Sequence, residues 1–150
     1  MTDPSEKLTQ NLMGTAWSLL SALKDLEFQR TEWAEKSDLH AIFDVVNDFT
    51  GLIEGLDGWS FAENLSYVYK SFGIPVANVL LPVYTALEAS LSNLPRSADG
   101  ILGFLESEEW RNVIDQSERA FQFVDRVIAR DESGLPVTYN PTTWEVSSHS

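Results

Sequence analysis

Three side chains that could bind a metal ion or transfer a proton recur at four-residue steps: His40, Asp44 and Asp48. Residues four apart lie on one face of a helix, so this set could hold a divalent cation if a second helix supplied a carboxylate. The same positions lie opposite an apolar stripe, where acidic residues are expected simply because that face is solvated. The solvated helix face is our preferred interpretation, and the metal site is the alternative.

Other patterns typical of catalysis are missing from the sequence. The chain has no cysteine, which removes thiolate nucleophiles and cysteine-ligated metals, and its second histidine, His149, lies in the terminal segment. No serine stands in a Gly-x-Ser-x-Gly elbow, and no glycine cluster forms a phosphate-binding loop. Carboxylates that are close in sequence fall at predicted helix ends or in loops. We therefore predict that the chain is not an enzyme and has no catalytic residue and no bound cofactor.

Large aromatic side chains outside the apolar stripes are the second set of candidate residues. Trp33 and Trp59 fall between predicted helices, whereas Tyr139 and Trp144 lie near the C-terminus. Such residues either plug the ends of a helical bundle or anchor a protein partner. Plugging is preferred for Trp59, and both roles suit Trp33 equally. The C-terminal pair could lie in a strap that folds back on the bundle, or bind elsewhere, so all four are predicted partner-binding residues.

The charge balance restricts the class of partner. The 150 residues include 23 acids and 10 bases, which gives a formal net charge of −13, and acids exceed bases in both halves of the chain. Such a surface repels phosphate backbones and anionic lipid headgroups, so we expect neither a nucleic acid nor a membrane as partner. It attracts a basic protein, although acidity is also a common route to solubility.

The spacing of apolar residues predicts helices along most of the chain. The predicted segments are about 5–27, 37–56, 60–72, 75–93, 97–105 and 108–130, and Ser37 and Ser107 are predicted to cap two of them. No segment alternates in the manner of a β-strand. We therefore predict an all-α fold: a compact irregular bundle of five or six helices over residues 1–130. Residues 131–150 are predicted to form an extended or disordered tail.

One predicted helix is apolar on nearly every side. Its apolar part, residues 74–87, begins with Ile74 and ends with Leu87. It is shorter than the roughly 18 residues that a membrane span needs. We prefer to place it at the centre of the bundle, and a homodimer formed through this segment is the alternative. The polar N-terminus lacks the features of a signal peptide, so we expect a cytoplasmic protein.

These features favour a non-catalytic acidic helical module that binds protein. It could act as an adaptor, a regulator or an inhibitor, for example as an immunity-like or antitoxin-like protein that covers a basic active site. Complementary charge would accelerate such an association. Two alternatives stay open: a metal-dependent enzyme that uses the carboxylate and histidine set, and a bundle that binds an apolar ligand beside a kink at Pro82.

Overall fold

The computed structural model describes residues 4–54, 74–140, 143 and 145–146 of the chain. These residues form helices α1 (Pro4–Leu23), α2 (Leu26–Gln29), α3 (Leu39–Glu54), α4 (Ile74–Ser90), α5 (Ile101–Leu105) and α6 (Glu108–Val127). A π-helical turn, Arg30–Ala34, continues α2, and the 3-10 turns Leu91–Asn93 and Ala98–Gly100 connect α4 to α5. The predicted all-α fold is confirmed, and the predicted helix at 60–72 lies outside the described residues.

The four long helices close a ring around one core. Helix α6 packs against α4 and α1, and α3 packs against the same two helices from the other side. Each long helix contributes apolar side chains that are almost completely buried, such as Leu20, Val46, Val83 and Val113. Burying a side chain of this size contributes about 1.5–3 kcal/mol, so the ring provides the main apolar stabilisation of the bundle.

The start of α6 confirms the predicted cap at Ser107. The Ser107 hydroxyl accepts a hydrogen bond from the backbone N–H of Trp110 at 3.3 Å, and its backbone is extended, as an N-cap requires. The helix ends at Val127, three residues before the predicted Arg130, because Ile128 already has an extended backbone.

The predicted cap at Ser37 is wrong. The backbone of Ser37 is left-handed, with φ of 53°, whereas an N-cap residue needs an extended backbone. Ser37 instead lies in the turn that follows the π-helical turn, and its N–H donates to the carbonyl of Ala34 at 3.2 Å. The next residue, Asp38, takes the capping role, and its carboxylate accepts from the N–H of Ala41 at 3.0 Å.

The first helix is shorter than predicted. It ends at Leu23 and not near Glu27, because Asp25 has an extended backbone and starts a new helix. The Asp25 carboxylate accepts from the N–H of Phe28 at 3.0 Å. Apolar spacing continues across this break, so the periodic pattern alone did not reveal it.

From Val79 onward, helix α4 is buried on one side and exposed on the other. Leu80, Val83 and Leu87 are in the core, whereas 41% of Leu81 is exposed on the outer side. From Val79 onward, one side of the 74–87 segment therefore lies in the core, as the preferred interpretation expected. A homodimer formed through this segment stays a prediction. Among the described residues, no helix is long and apolar enough to cross a membrane.

Candidate functional site

Trp33 plugs one end of the bundle. Only 2% of its surface is exposed, and its ring centroid lies 6.0 Å from that of Trp110. The ring of Trp110 in turn lies 4.7 Å from that of Phe104 in α5. Of the two roles that the sequence left open, Trp33 thus has the structural one. Its prediction as a partner-binding residue is corrected, because a buried indole offers no surface to a partner.

Gln29 completes this buried cluster. Its side chain is fully buried, and its Nε2 donates to the carbonyls of Ala22 and Leu23 at 2.8 and 2.9 Å. Its Oε1 accepts from the indole N–H of Trp110 at 2.8 Å. The last carbonyls of α1 have no partner within their own helix, so Gln29 satisfies them. Sequence reasoning missed this residue, since glutamine is ordinarily a surface residue.

The chain after α6 returns to α1 and packs on it. We call residues 129–140 the tail strap. Gln10 Nε2 donates to the carbonyls of Ala129 and Val137, both at 3.0 Å. Asn11 pairs with the backbone of Tyr139: Nδ2 donates to its carbonyl and Oδ1 accepts from its N–H, both at 2.7 Å. Of the two tail conformations that the sequence left open, this part is extended and packed on α1.

A tight turn reverses the tail strap. Asp131 Oδ1 accepts from the backbone N–H groups of Ser133 and Leu135, at 2.9 and 3.1 Å. Gly134 has φ of 85°, a left-handed conformation that glycine adopts without a steric penalty. The turn brings Pro136 opposite Arg130 in an antiparallel bridge.

Trp17 supports the base of the tail strap. Its indole N–H donates to Asp125 Oδ1 at 2.9 Å, and its ring lies 5.6 Å from that of Phe121. Asp125 also pairs with the guanidinium of Arg130, which donates to the carbonyl of Gly134 at 2.9 Å. The partly buried Trp17 therefore has a structural partner on α6.

Tyr139 is held within the molecule. Its ring is half-buried, and Lys7 Nζ lies 5.3 Å from the ring centroid. A cation over an aromatic face is attracted by the ring quadrupole. The partner-binding role of Tyr139 stays a prediction, and those of Trp59 and Trp144 lie outside the described residues.

The structure places His40, Asp44 and Asp48 on the exposed face of α3. Within the described ranges, no group of three His, Asp or Glu side chains is arranged to hold a metal ion. The three residues therefore lie together on one helix face. Among the described residues, no second helix adds a carboxylate that would complete a metal site with them.

Asp48 also lines a cleft between α1 and α3. This α1–α3 cleft has a volume of about 350 Å³ and is lined by Asn11, Leu12, Thr15, Asn47, Asp48, Gly51 and Leu52. One carboxylate, two carboxamides and a hydroxyl supply polar groups, while two leucines supply apolar surface. Because Asn11 belongs to this lining and also binds Tyr139, the cleft adjoins the tail strap.

A groove of about 470 Å³ lies between α4 and α6 at Pro82. Its lining includes Leu81, Thr85 and Ala89, which are exposed. It is therefore a groove on the outside of the bundle and not an interior chamber. The apolar ligand that the sequence allows beside Pro82 stays a prediction.

We compared the chain with protein-family models, curated proteins and solved structures, and none of them matches it. Its function is therefore inferred from the charge, exposure and geometry of its own residues.

Proposed function

We propose that the chain is a non-catalytic protein-binding module that recognises a basic protein partner through the exposed face of α3. One observation carries this proposal: α3 has no lysine or arginine, and it exposes Asp44, Asp48 and His40 along one face. Acidic residues on a solvated face also favour solubility, but a face without a compensating cation carries a negative potential as well. An unbalanced face attracts a partner of opposite charge.

Two lysines are paired with residues outside α3. Lys24 lies 3.8 Å from Glu118 and 4.7 Å from the ring centroid of Phe121. Lys36 follows the π-helical turn and pairs with Glu32 of that turn at 2.5 Å, and this pairing raises the pKa of the Lys36 ammonium. In the described part of the chain, no ion pair includes Asp44 or Asp48.

The exposure of these carboxylates determines how they would contribute to binding. Exposed charges attract a partner over roughly a Debye length, about 8–10 Å at moderate salt, and thus mainly accelerate association. Each exposed pair formed with the partner is worth about 0.2–1 kcal/mol. We therefore expect an association that weakens as the salt concentration rises.

The test compares two double variants with the same change of charge. One is Asp44→Asn with Asp48→Asn on α3. The control is Glu88→Gln with Asp115→Asn, which removes two exposed acids from α4 and α6. The probe is a labelled helical peptide rich in lysine and arginine, and its binding is measured by fluorescence anisotropy at low and moderate salt.

We expect the α3 variant to weaken binding roughly two- to thirty-fold, as the loss of two exposed pairs implies, and the control to weaken it less. Equal weakening by the two variants would mean that net charge alone attracts the peptide, and the α3 face would be rejected. Absence of binding to the unmodified protein at low salt would reject the proposal altogether.

A further inference from the structure

We infer that the α1–α3 cleft receives an arginine side chain of the basic partner. This inference rests on the proposed function and specifies its ligand chemistry. The α3 wall of the cleft presents the Asp48 carboxylate and the Asn47 carboxamide, and the α1 wall presents Asn11 and Thr15. None of the lining residues is basic. A cation is therefore the complementary occupant.

The polar groups favour a guanidinium over an ammonium. A guanidinium has five N–H donors in one plane, and so it can reach acceptors on both walls at once. An ammonium has three donors around a single point and is more strongly hydrated. Leu12 and Leu52 add apolar surface to the same cleft, which suits the aliphatic stem and the weakly hydrated faces of an arginine side chain.

The tail strap prepares Asn11 for this role. Both ends of its carboxamide bind the backbone of Tyr139, so the orientation of the group is determined before any partner arrives. The Nδ2 donor is directed to Tyr139, and Oδ1 keeps a second lone pair for another donor. A group that is already ordered loses little conformational freedom on binding.

The size of the cleft agrees with one inserted side chain. A volume of about 350 Å³ is near the lower end of the range for small-ligand pockets, roughly 300–1,000 Å³. Gly51, which has no side chain, is among the lining residues. The rest of the partner would lie over the exposed α3 face.

The probes are three peptides of the same neutral sequence that differ at one central position: arginine, lysine or citrulline. Citrulline keeps the planar shape of arginine without its charge. Binding is followed by NMR through the side-chain amide signals of Asn11 and Asn47. We expect the arginine peptide to bind about tenfold more tightly than the other two and to shift both amide signals.

Two single variants locate the interaction. Asp48→Asn changes a residue of the cleft, while Asp115→Asn removes the same charge from an exposed position of α6, outside the lining. We expect Asp48→Asn to abolish the preference for arginine and Asp115→Asn to keep it. Both residues are exposed, and the dispersion of the NMR spectrum verifies that each variant is folded.

The assignment of the cleft as an arginine site is rejected if the arginine and lysine peptides bind equally or if the arginine peptide shifts neither amide signal. It is also rejected if both single variants weaken binding equally. In any of these cases the proposed function stands as long as the α3 double variant binds the basic helical peptide more weakly than the control double variant does. If that discrimination is also absent, the proposed function fails as well.

Discussion

Carboxamide side chains connect both ends of α1 to other parts of the chain, but their surroundings differ. Beyond the C-terminal end, Gln29 is fully buried and joins the last carbonyls of α1 to Trp110. In the N-terminal half, Gln10 and Asn11 hold the backbone of the tail strap. Asn11 is only half-buried, and it lines the open α1–α3 cleft.

The two regions differ in whether water can take the place of a hydrogen-bond partner when a bond breaks. At Gln29 water cannot enter, so a broken bond leaves a buried polar group without a partner, at a cost of about 1–3 kcal/mol. At Asn11 water can substitute, and the net worth of each bond is nearer to 1 kcal/mol. The first region therefore stabilises the whole fold, whereas the second can open locally and is suited to binding.

The largest effect is expected from Trp33→Ala in the buried cluster. Removing a buried indole creates a cavity, and the free energy of unfolding should fall by about 3–5 kcal/mol. Urea unfolding followed by circular dichroism measures this loss. Phe28→Ala is the control, because 42% of Phe28 is exposed although its ring lies 6.3 Å from that of Trp33. Equal losses for the two variants would contradict the assignment of Trp33 to the core.

Gln29→Leu tests whether the buried amide couples α1 to α6. It leaves the Trp110 N–H and the Leu23 carbonyl buried without partners, but the leucine gains apolar burial, so the net fall in the free energy of unfolding should be about 1–3 kcal/mol. A double-mutant cycle with Trp110→Phe should give a coupling of about 0.5–3 kcal/mol in urea unfolding. Additive losses would show that the 2.8 Å contact is not an energetic link.

Asn11→Ala examines the opposite region. It removes both hydrogen bonds to Tyr139 and should release the tail strap around that residue, while Gln10 still holds Ala129 and Val137. The free energy of global unfolding should fall by no more than about 2 kcal/mol, since the strap can open locally. Limited proteolysis with chymotrypsin should then cleave faster after Tyr139. Asn47→Ala serves as the control, since Asn47 lines the same cleft, whereas the two hydrogen bonds to the backbone of Tyr139 come from Asn11. Unchanged cleavage of the Asn11 variant would remove the distinction between the two regions.

The smallest effect on stability is expected from Asp48→Asn. An exposed carboxylate without an ion pair in the described part of the chain should change the free energy of unfolding by no more than about 0.5 kcal/mol. Thermal and urea unfolding at neutral pH measure this. A loss of more than 1 kcal/mol would mean that Asp48 is structural, and it would then be unsuitable as a binding residue.

Local sequence signals predicted the fold class and some of the helix boundaries. The apolar spacing of the four long helices was sufficient, because a helix buries a stripe that repeats every three to four residues. Ser107 was recognised as a cap because capping depends on neighbouring residues only. The cap at Ser37 was predicted wrongly because the next residue, Asp38, is an equally good capping residue. The conformation of the turn before α3 determines which of the two residues caps the helix, and the sequence did not reveal that conformation.

The candidate site was predicted in part. His40, Asp44 and Asp48 were recognised as one exposed helix face, but only Asp48 lines the cleft. Asn11 could not be identified from the sequence, because its partner Tyr139 is 128 residues away. A half-buried asparagine in a helix also leaves no periodic signal.

The sequence by itself determined the charge of this protein, its all-α class and the polar face of α3, because these depend on composition and on the helical repeat. Tertiary structure alone decided that Trp33 is buried, that Gln29 joins α1 to α6, and that the tail strap packs beside the α1–α3 cleft. Each of these contacts joins residues from separate segments of the chain. Such contacts exist only after the chain has folded, so local patterns cannot specify them.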